Sequence, residues 1–435
     1  MTSFNVDAMA RHGGTGVWEH RGKVAAVGLG HTRTARRWDG RPETSVGALA
    51  IEALRQAMED AGVTPDQVDG LVLDPVTTTG AYWPEGQPIP QDFLDMFEQT
   101  ADPMDGLAQL SVDWILKNMP ELKNVTFAVH APRCMSHAVT VGAQAVGDGL
   151  AKTCLVLKGW HNFAGRYYHG GTNAADTVSG ATKWGAAWAG PASTTTAMQF
   201  QRYLHQYGKT HDMMWPFMAN SRKNGLLFPE GYWAQHRPEE LGFEDYTHAR
   251  WIAEPANLFD NDLPIHVAAA YLFTTADRAV DMKQKPAYIW NHYKNNHVAR
   301  GVFPTLEDVQ ESTAMTGREV LAGAGISVDD LSFENMYDGF TLFHLEGLGF
   351  AGIKQGEALD YFASEDITIH GPNPISPSGG NIGSGRTRFW MHSDSIQQIQ
   401  GRAGARQINR PAEIGISGGP MPQNGWFTVW SATPD

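Results

Sequence analysis

The sequence predicts an α/β fold that consists of two similar halves. Short apolar runs at residues 24–30 and 70–73 flank residues 45–61, where apolar side chains recur at helical spacing. This order of elements is strand, helix, strand. A second observation is that a helix followed by a glycine, an aspartate and a strand occurs twice along the chain, which favours an internal duplication.

The repeated pattern is centred on Gly62 and Gly325, which are 263 residues apart. Each follows a segment with helical spacing, as a C-terminal helix cap does. Each also precedes an aspartate four residues later, Asp66 or Asp329, and then a strand. Two unrelated helix ends are the alternative, because Ala-Gly is common there. The matched order of elements favours duplication.

The remaining elements follow in chain order. Residues 1–22 are predicted to be a loose N-terminal arm, residues 23–283 the first half and residues 284–435 the second. The first half contains an insertion at about 75–122 that is rich in threonine, proline, glycine and acidic residues, with one helix predicted near 107–117. A second insertion, at about 160–195, is rich in glycine, alanine, threonine and aromatic residues, and we expect it to be a long loop that covers a site. Further strands are predicted at 125–129, 153–157 and 267–275, and helices at 134–149 and 306–323.

Composition excludes several classes of function. Of the 435 residues, 42% are hydrophobic and 18% charged, which is typical of a globular protein, and the net charge of -14 argues against nucleic-acid or anionic-membrane binding. Two cysteines provide neither a disulfide framework nor a metal site, so we expect no metal. No signal peptide or membrane span is visible, and we expect a cytoplasmic protein.

Candidate site residues come from three places. Tyr337 and Asp338 stand side by side at the end of a predicted strand, either as functional groups or as a buried phenol and an Asx-turn. Gly379, Gly380 and Asn381 form a turn whose N–H groups would suit an oxygen ligand, or simply a tight turn.

Cys134 is the third candidate, because it lies where a predicted helix begins. A helix N-terminus and the adjacent Arg133 would lower the pKa of its thiol. The alternative is a small buried residue at a strand–helix turn, and we favour it. Cys154, inside an apolar strand, is predicted to be core.

Several of these segments together resemble the thiolase superfamily, in its bacterial lipid-transfer-protein-like branch. They are residues 24–30, 53–69, 134–149, Trp251-Ile252-Ala253-Glu254-Pro255, Thr274–Ala279, Tyr337-Asp338-Gly339-Phe340-Thr341 with Leu345–Phe350, and Ser376–Asn381. The resemblance implies a thiolase fold, with two duplicated α/β halves that each contain a five-stranded mixed sheet around a central helical layer. It also implies a homodimer.

The same resemblance shows where this chain departs from thiolases. The Gly-His-Pro position reads Gly385-Arg386-Thr387, the second cysteine position is closest to Ser417, and the Asn-Glu loop reads Tyr337-Asp338. Claisen chemistry needs a thiolate and an acid–base partner. Because arginine does not release its proton at neutral pH, thiolase chemistry is not expected.

A Tyr-Asp pair in this loop resembles the steroid side-chain-cleaving aldolases, which work with small DUF35 proteins that carry an OB-fold and a zinc-ribbon. This resemblance implies retro-aldol cleavage of a β-hydroxyacyl-CoA, with Tyr337 as base or proton relay and Asp338 orienting it or holding the loop. A second tyrosine is expected, but neither Tyr288 nor Tyr293 can be assigned to that role. CoA enters as part of the substrate, and no cofactor is implied.

Two other functions stay open from the sequence. One is a thiolase or acyltransferase that uses Cys134 as its nucleophile. The other is a non-catalytic carrier of lipid or acyl-CoA, or the scaffold subunit of a complex.

Overall fold

A computed structural model describes residues 4–12, 16–77, 83–84, 86–132, 134–165, 192–297, 305–419 and 425–435. The strands are β1 (Val24–His31), β2 (Gly70–Asp74), β3 (Phe127–His130), β4 (Thr153–Trp160), β5 (Trp251–Ala253), β6 (Ala256–Asn257), β7 (Val267–Thr275), β8 (Ala287–Lys294), β9 (Phe333–Met336), β10 (Ile414–Gly419) and β11 (Trp426–Ser431).

The α-helices are α1 (Val46–Ala61), α2 (Gln91–Met96), α3 (Val112–Asn118), α4 (Met135–Gly147), α5 (Ala192–Tyr207), α6 (Trp215–Leu226), α7 (Tyr232–His236), α8 (Phe243–Thr247), α9 (Ala276–Ala279), α10 (Leu306–Ala324), α11 (Thr341–Gly347), α12 (Gln355–Ser364), α13 (Gly380–Ser384) and α14 (Trp390–Gln400). Among the described residues, no helix is both long enough and apolar enough to cross a bilayer.

Within the described residues, nine strands form one mixed sheet in the order β3-β2-β4-β7-β1-β8-β11-β10-β9. The two sides of this sheet match when they are followed outward from the β1–β8 pair. On one side, β1 is antiparallel to β7, β7 is antiparallel to β4, and β4 is parallel to β2. On the other side, β8 is antiparallel to β11, β11 is antiparallel to β10, and β10 is parallel to β9. This symmetry confirms the predicted duplication of an α/β unit.

The sheet differs from two separate five-stranded sheets in two details. Pairing of Ala25 with Tyr288 and of Ala26 with Ala287 joins β1 to β8, so the sheets of the two halves are continuous. At the outer edge of the second half, a single parallel bridge between Glu334 and Ile375 takes the place that β3 has in the first. In the described part of the chain, the second half therefore contributes four strands.

Helices cover both faces of the sheet, as expected where parallel strands are present. One core contains α4 and α14 together with strand residues from both halves, among them Val156 and Trp430. The opposite core contains residues of α1 and α10. Successive residues of β2 alternate between these cores, with Leu71 in one and Val72 in the other. The helical layer shared by both halves is thus α4 with α14.

The repeated turn has the same geometry in both halves. Gly62 and Gly325 both end helices with φ of 71°, a conformation that favours glycine. Each is followed by a capping box, formed by Thr64 with Gln67 and by Ser327 with Asp330, and then by a strand. The local sequence therefore specifies where β2 and β9 begin, and it does so twice.

Part of the predicted N-terminal arm packs against the rest of the chain. Trp18 is 2% exposed, its N–H donates to the carbonyl oxygen of Gly323 at 2.9 Å, and its indole N–H donates to Gln144. The first insertion forms α2 and α3, so its helix begins at Val112 rather than near residue 107. Most of the second insertion, residues 166–191, lies outside the described residues.

Candidate active site

Tyr337 lies directly after β9, between that strand and α11. Its N–H donates to the carbonyl oxygen of Gly418 at 2.9 Å, so pairing with β10 continues one residue past the strand. The side chain is 4% exposed, and its ring stacks on Phe343 with the centroids 6.0 Å apart. A Cβ atom on Gly339 would overlap the phenol oxygen, which explains the glycine at that position. The phenol is therefore confined within a buried site.

Charged side chains surround the Tyr337 phenol. Burial raises the pKa of Tyr337 above its usual value, and the Asp262 carboxylate raises it further. Arg388, which hydrogen-bonds the phenol, and Arg386 act in the opposite direction. The guanidinium carbon of Arg388 lies 5.8 Å from the centre of the tyrosine ring. Two guanidinium groups thus favour the phenolate form of Tyr337, against burial and one carboxylate.

Asp338 binds the glycine loop formed by residues 376–388. Its Oδ1 accepts the N–H of Asn381 at 2.6 Å, and its Oδ2 accepts that of Ile382 at 3.4 Å. Burial raises the pKa of this carboxyl to about 7, although the two N–H groups favour its charged form. A Cβ atom on Gly380 would overlap the carboxylate. Of the two roles predicted for Asp338, these contacts support holding the loop.

The glycine loop uses its own N–H groups within the protein. Gly379 and Gly380 have φ of 74° and 62°, which favours glycine. The N–H groups of residues 379, 380 and 381 donate, in that order, to the Ser376 carbonyl, the Ser378 hydroxyl and the Asp338 carboxylate. These bonds support the tight-turn interpretation. Direct binding of the thioester by Gly379, Gly380 and Asn381 stays a prediction.

Cys134 reaches the same site from the first half of the chain. It precedes α4, is fully buried, and its Sγ lies 4.0 Å from the carbonyl oxygen of Gly419. A Cβ atom on Gly419 would lie 3.3 Å from the Cβ of Tyr337, so Cys134 and Tyr337 both lie next to this glycine. Burial and, secondarily, the Asp74 carboxylate raise the pKa of the Cys134 thiol to about 11. The hypothesis of a lowered pKa is therefore wrong; Arg133 lies outside the described residues.

Comparisons with known proteins show what this chain is similar to. Residues 298–422 match the thiolase C-terminal domain-like family. A solved structure described as the Ltp2-ChsH2(DUF35) aldolase has a TM-score of 0.73 and 22% identity, covering 95% of this chain and 98% of that chain. Human mitochondrial 3-ketoacyl-CoA thiolase has a TM-score of 0.60 and 12% identity, covering 95% and 99%. This chain is thus similar to the thiolase C-terminal domain-like family over residues 298–422 and has the fold of these solved structures.

Two curated relatives of this chain carry names that describe a reaction. A steroid side-chain-cleaving aldolase of Thermomonospora curvata is 25% identical over 410 residues, which cover 90% of this chain and 93% of the relative. A 17-hydroxy-3-oxo-4-pregnene-20-carboxyl-CoA lyase of Mycobacterium tuberculosis is 26% identical over 404 residues, covering 87% and 92%. The resemblance to the steroid side-chain-cleaving aldolases is thereby confirmed.

Arg386 and Ser417, which stand at positions where thiolases have catalytic residues, contact side chains other than Cys134. Arg386 pairs with Asp262, with 3.8 Å between Nε and Oδ2. Ser417 lies 2.7 Å from Nδ1 of His392 and accepts the indole N–H of Trp430 at 2.7 Å. Burial lowers the pKa of His392 to about 3, so this imidazole is neutral. In the described part of the chain, no imidazole is hydrogen-bonded to the Cys134 sulfur.

The two tyrosines of β8 do not join Tyr337. Tyr288 and Tyr293 pack in the core that contains α1 and α10, whereas Tyr337 packs in a small cluster with Phe343 and Met391. The Tyr293 hydroxyl donates to Glu319 of α10. A tyrosine partner for Tyr337 is therefore not found in this strand.

Sequence reasoning missed a buried ion pair beside Cys134. Lys158, at the end of β4, is fully buried and donates to Asp74 at the end of β2, and also to the carbonyl oxygen of Val76 at 2.7 Å. Its ammonium lies 3.8 Å from the centre of a ring of Trp160. The sequence did contain a signal for this ion pair, because a lysine within an apolar strand requires a buried partner. Arg388 was also missed, because it lies 51 residues from Tyr337 in the chain.

Proposed function

We propose that this chain is a carbon–carbon lyase that cleaves a β-hydroxyacyl-CoA thioester by a retro-aldol reaction. The observation that carries the proposal is the buried Tyr337 phenol, with the guanidinium carbon of Arg388 5.8 Å from the centre of its ring. A phenol with such a partner can exchange a proton with a substrate hydroxyl. The two curated relatives named as an aldolase and a CoA lyase support the same reaction.

The reaction needs one base and one proton donor. Tyr337, as base or proton relay, takes the proton of the β-hydroxyl group, and the bond between the α and β carbons breaks. The former alcohol leaves as a ketone, and the bond electrons enter the thioester as an enolate. A proton then returns to the α carbon, which gives a shorter acyl-CoA, so no external oxidant or cofactor is consumed. CoA takes part as a portion of the substrate.

The substrate class is inferred from the relatives. Both names describe the removal of a steroid side chain or the lysis of a steroid carboxyl-CoA, so we assign a steroid side chain as the acyl group. Acyl-CoA substrates and two free cysteines are consistent with a cytoplasmic enzyme.

A thiolase or acyltransferase reaction is less well supported by the site. Its nucleophile would be Cys134, whose pKa burial raises to about 11. The reactive form is the thiolate, and in the described part of the chain no imidazole is hydrogen-bonded to this sulfur to take its proton. A non-catalytic carrier would not require a guanidinium group at the phenol, so a carrier role leaves the arrangement unexplained.

The proposed assembly contains a homodimer of this chain and a DUF35-type partner with an OB-fold and a zinc-ribbon. Its support is the similarity to a solved aldolase whose description names a DUF35 component. Affinity purification of the tagged chain from its native host, followed by mass spectrometry and light scattering, tests both parts. A chain that is always recovered as a homodimer without another protein would argue against the partner.

The reaction is tested by supplying a 17-hydroxy steroid β-hydroxyacyl-CoA and measuring the ketone and the short acyl-CoA. We expect Tyr337→Phe to lower kcat by at least about 100-fold, because a positioned acid–base group contributes that much. Tyr293→Phe is the matched control, since this buried phenol faces the other core, and it is expected to retain kcat. Equal rates for wild type and Tyr337→Phe would refute the proposal.

A further inference from the structure

Backbone strain marks both ends of the glycine loop. Among the non-glycine residues that the structure describes, Ser376 and Arg388 have positive φ, at 46° and 59°. This conformation is strained for a residue with a Cβ atom. It persists only where the surrounding contacts determine it. The contacts of Arg388 therefore show which interactions hold it in this conformation.

The backbone of Arg388 is fixed from the loop itself. Its N–H donates to Oδ1 of Asn381 at 3.1 Å, and the same oxygen accepts the N–H of Thr387 at 2.9 Å. Asn381 in turn is held through its own N–H by Asp338. The chain of contacts thus runs from the residue next to Tyr337 to Arg388.

A second clamp holds the same segment from the first half of the chain. The indole N–H of Trp160, at the end of β4, donates to the carbonyl oxygen of Thr387. The Arg388 guanidinium carbon lies 5.7 Å from the centre of a Trp160 ring and 5.8 Å from that of Tyr337. The guanidinium group is therefore close to both an indole and the phenol, and its positive charge favours the phenolate form of Tyr337.

We infer that Arg388 is the electrostatic partner of Tyr337, which holds the phenolate that accepts the proton of the substrate hydroxyl. The inference rests on the proposed function and adds a residue to it. Arginine cannot give up its proton at neutral pH, so it donates hydrogen bonds while Tyr337 alone transfers the proton. The positive φ keeps the guanidinium group at the phenol, at the expense of some backbone stability.

The charges that face Tyr337 determine the expected pH dependence. They are Arg388 and Arg386 from the glycine loop, which favour the phenolate, and Asp262 from the segment before β7, which opposes it. Burial also opposes the phenolate. Removing the Arg388 charge therefore raises the pKa of Tyr337, and the pH at which cleavage becomes fast rises with it.

The inference is tested without substrate by placing 3,5-difluorotyrosine at position 337 and titrating it by fluorine NMR. This analogue ionises at a lower pH than tyrosine, so the titration is complete while the protein is folded. In Arg388→Met we expect the midpoint to rise by at least about one pH unit, which corresponds to about tenfold. Arg402→Met, which removes a partly exposed arginine paired with Asp60, is the matched control and is expected to leave the midpoint unchanged.

A second variant separates charge from folding. Arg388→Gly relieves the positive φ, so its Tm is expected to equal or exceed that of wild type while the midpoint at position 337 still rises. With the native tyrosine, the pH profile of kcat should move upward in both Arg388 variants. A midpoint that does not move in either variant would overturn the inference. If wild type cleaves no β-hydroxyacyl-CoA but the midpoint moves, only the proposed function fails.

Discussion

Asp74 and Tyr337 occupy corresponding positions in the two halves, 263 residues apart, at the ends of β2 and β9. Asp74 lies opposite Lys158 in the pairing of β2 with β4. Tyr337 continues the pairing of β9 with β10, next to Gly419. Duplication thus provided two equivalent strand ends. One carries a buried ion pair and the other carries the phenol.

The ion pair gives the first prediction. Removing either partner of a buried pair leaves an uncompensated charge, so Lys158→Met or Asp74→Asn should lower the free energy of unfolding by about 3–5 kcal/mol. Replacing both, as Asp74→Leu with Lys158→Met, should destabilise the protein much less than either single change. Urea unfolding of the three variants measures this. Additive losses in the double variant would contradict it.

The state of Cys134 gives the second prediction. Because burial raises the pKa of both thiols, neither Cys134 nor Cys154 should react with iodoacetamide in the native protein at pH 8. Urea should expose both, and mass spectrometry counts the adducts. Cys134→Ala should keep kcat within about threefold of wild type, since the thiol has no step in the proposed reaction. Selective labelling of native Cys134 with loss of turnover would favour the thiolase alternative.

The fold was largely predictable because its signals are local. Gly62 and Gly325 end helices through their own φ, and each is followed by a capping box, so neighbouring residues alone determine these turns. The continuous sheet was not predictable. Pairing of Ala25 with Tyr288 joins strands that lie far apart in sequence, and no short pattern specifies it.

The site likewise contains some residues that the sequence predicted and others that it did not. Tyr337 and Asp338 could be recognised because they are adjacent and end a strand. Arg388 could not, because its position depends on contacts with Asn381 and Trp160 that form only in the folded chain. The raised pKa of Cys134 also depends on burial rather than on sequence neighbours. Local patterns located the site, while tertiary contacts determine its chemistry.

The loop contact of Asp338 gives the third prediction. Burial raises the pKa of this carboxyl to about 7, so it gains charge between about pH 6 and 8. Its hydrogen bonds from Asn381 and Ile382 strengthen as the charge appears. Hydrogen exchange of these two amides, corrected for the intrinsic pH effect, should slow across this range in wild type.

Asp338→Asn should abolish that dependence and lower kcat, because the amide cannot accept both N–H groups as a carboxylate does. Asp366→Asn changes an exposed aspartate and serves as the control. Unchanged exchange at Asn381 in the Asp338 variant would show that the carboxylate does not hold the loop.

Glu346 gives the last prediction. It lies one turn after Phe343 in α11, is 1% exposed, and neither carboxylate oxygen has a hydrogen-bond partner among the described residues. Burial raises its pKa from 4.5 to about 8. Between these values the folded protein holds a proton that the unfolded chain releases, so this group makes stability fall as the pH rises from about 4.5 to 8. Above about pH 8, the loss of stability that Glu346 causes no longer changes with pH.

The side chain at position 346 cannot ionise in Glu346→Gln. The free energy of unfolding of this variant, relative to that of wild type, should therefore grow with pH through this window and then level off. The shift in the pKa of Glu346 corresponds to a difference of at most about 5 kcal/mol in the free energy of unfolding, and local relaxation will reduce the measured difference. Glu357→Gln, on the exposed face of α12, is the control and should show no such slope. Urea unfolding from pH 5 to 9 tests the prediction. A constant difference between Glu346→Gln and wild type would mean that Glu346 is ionised in the native protein at pH 5 and has a partner there.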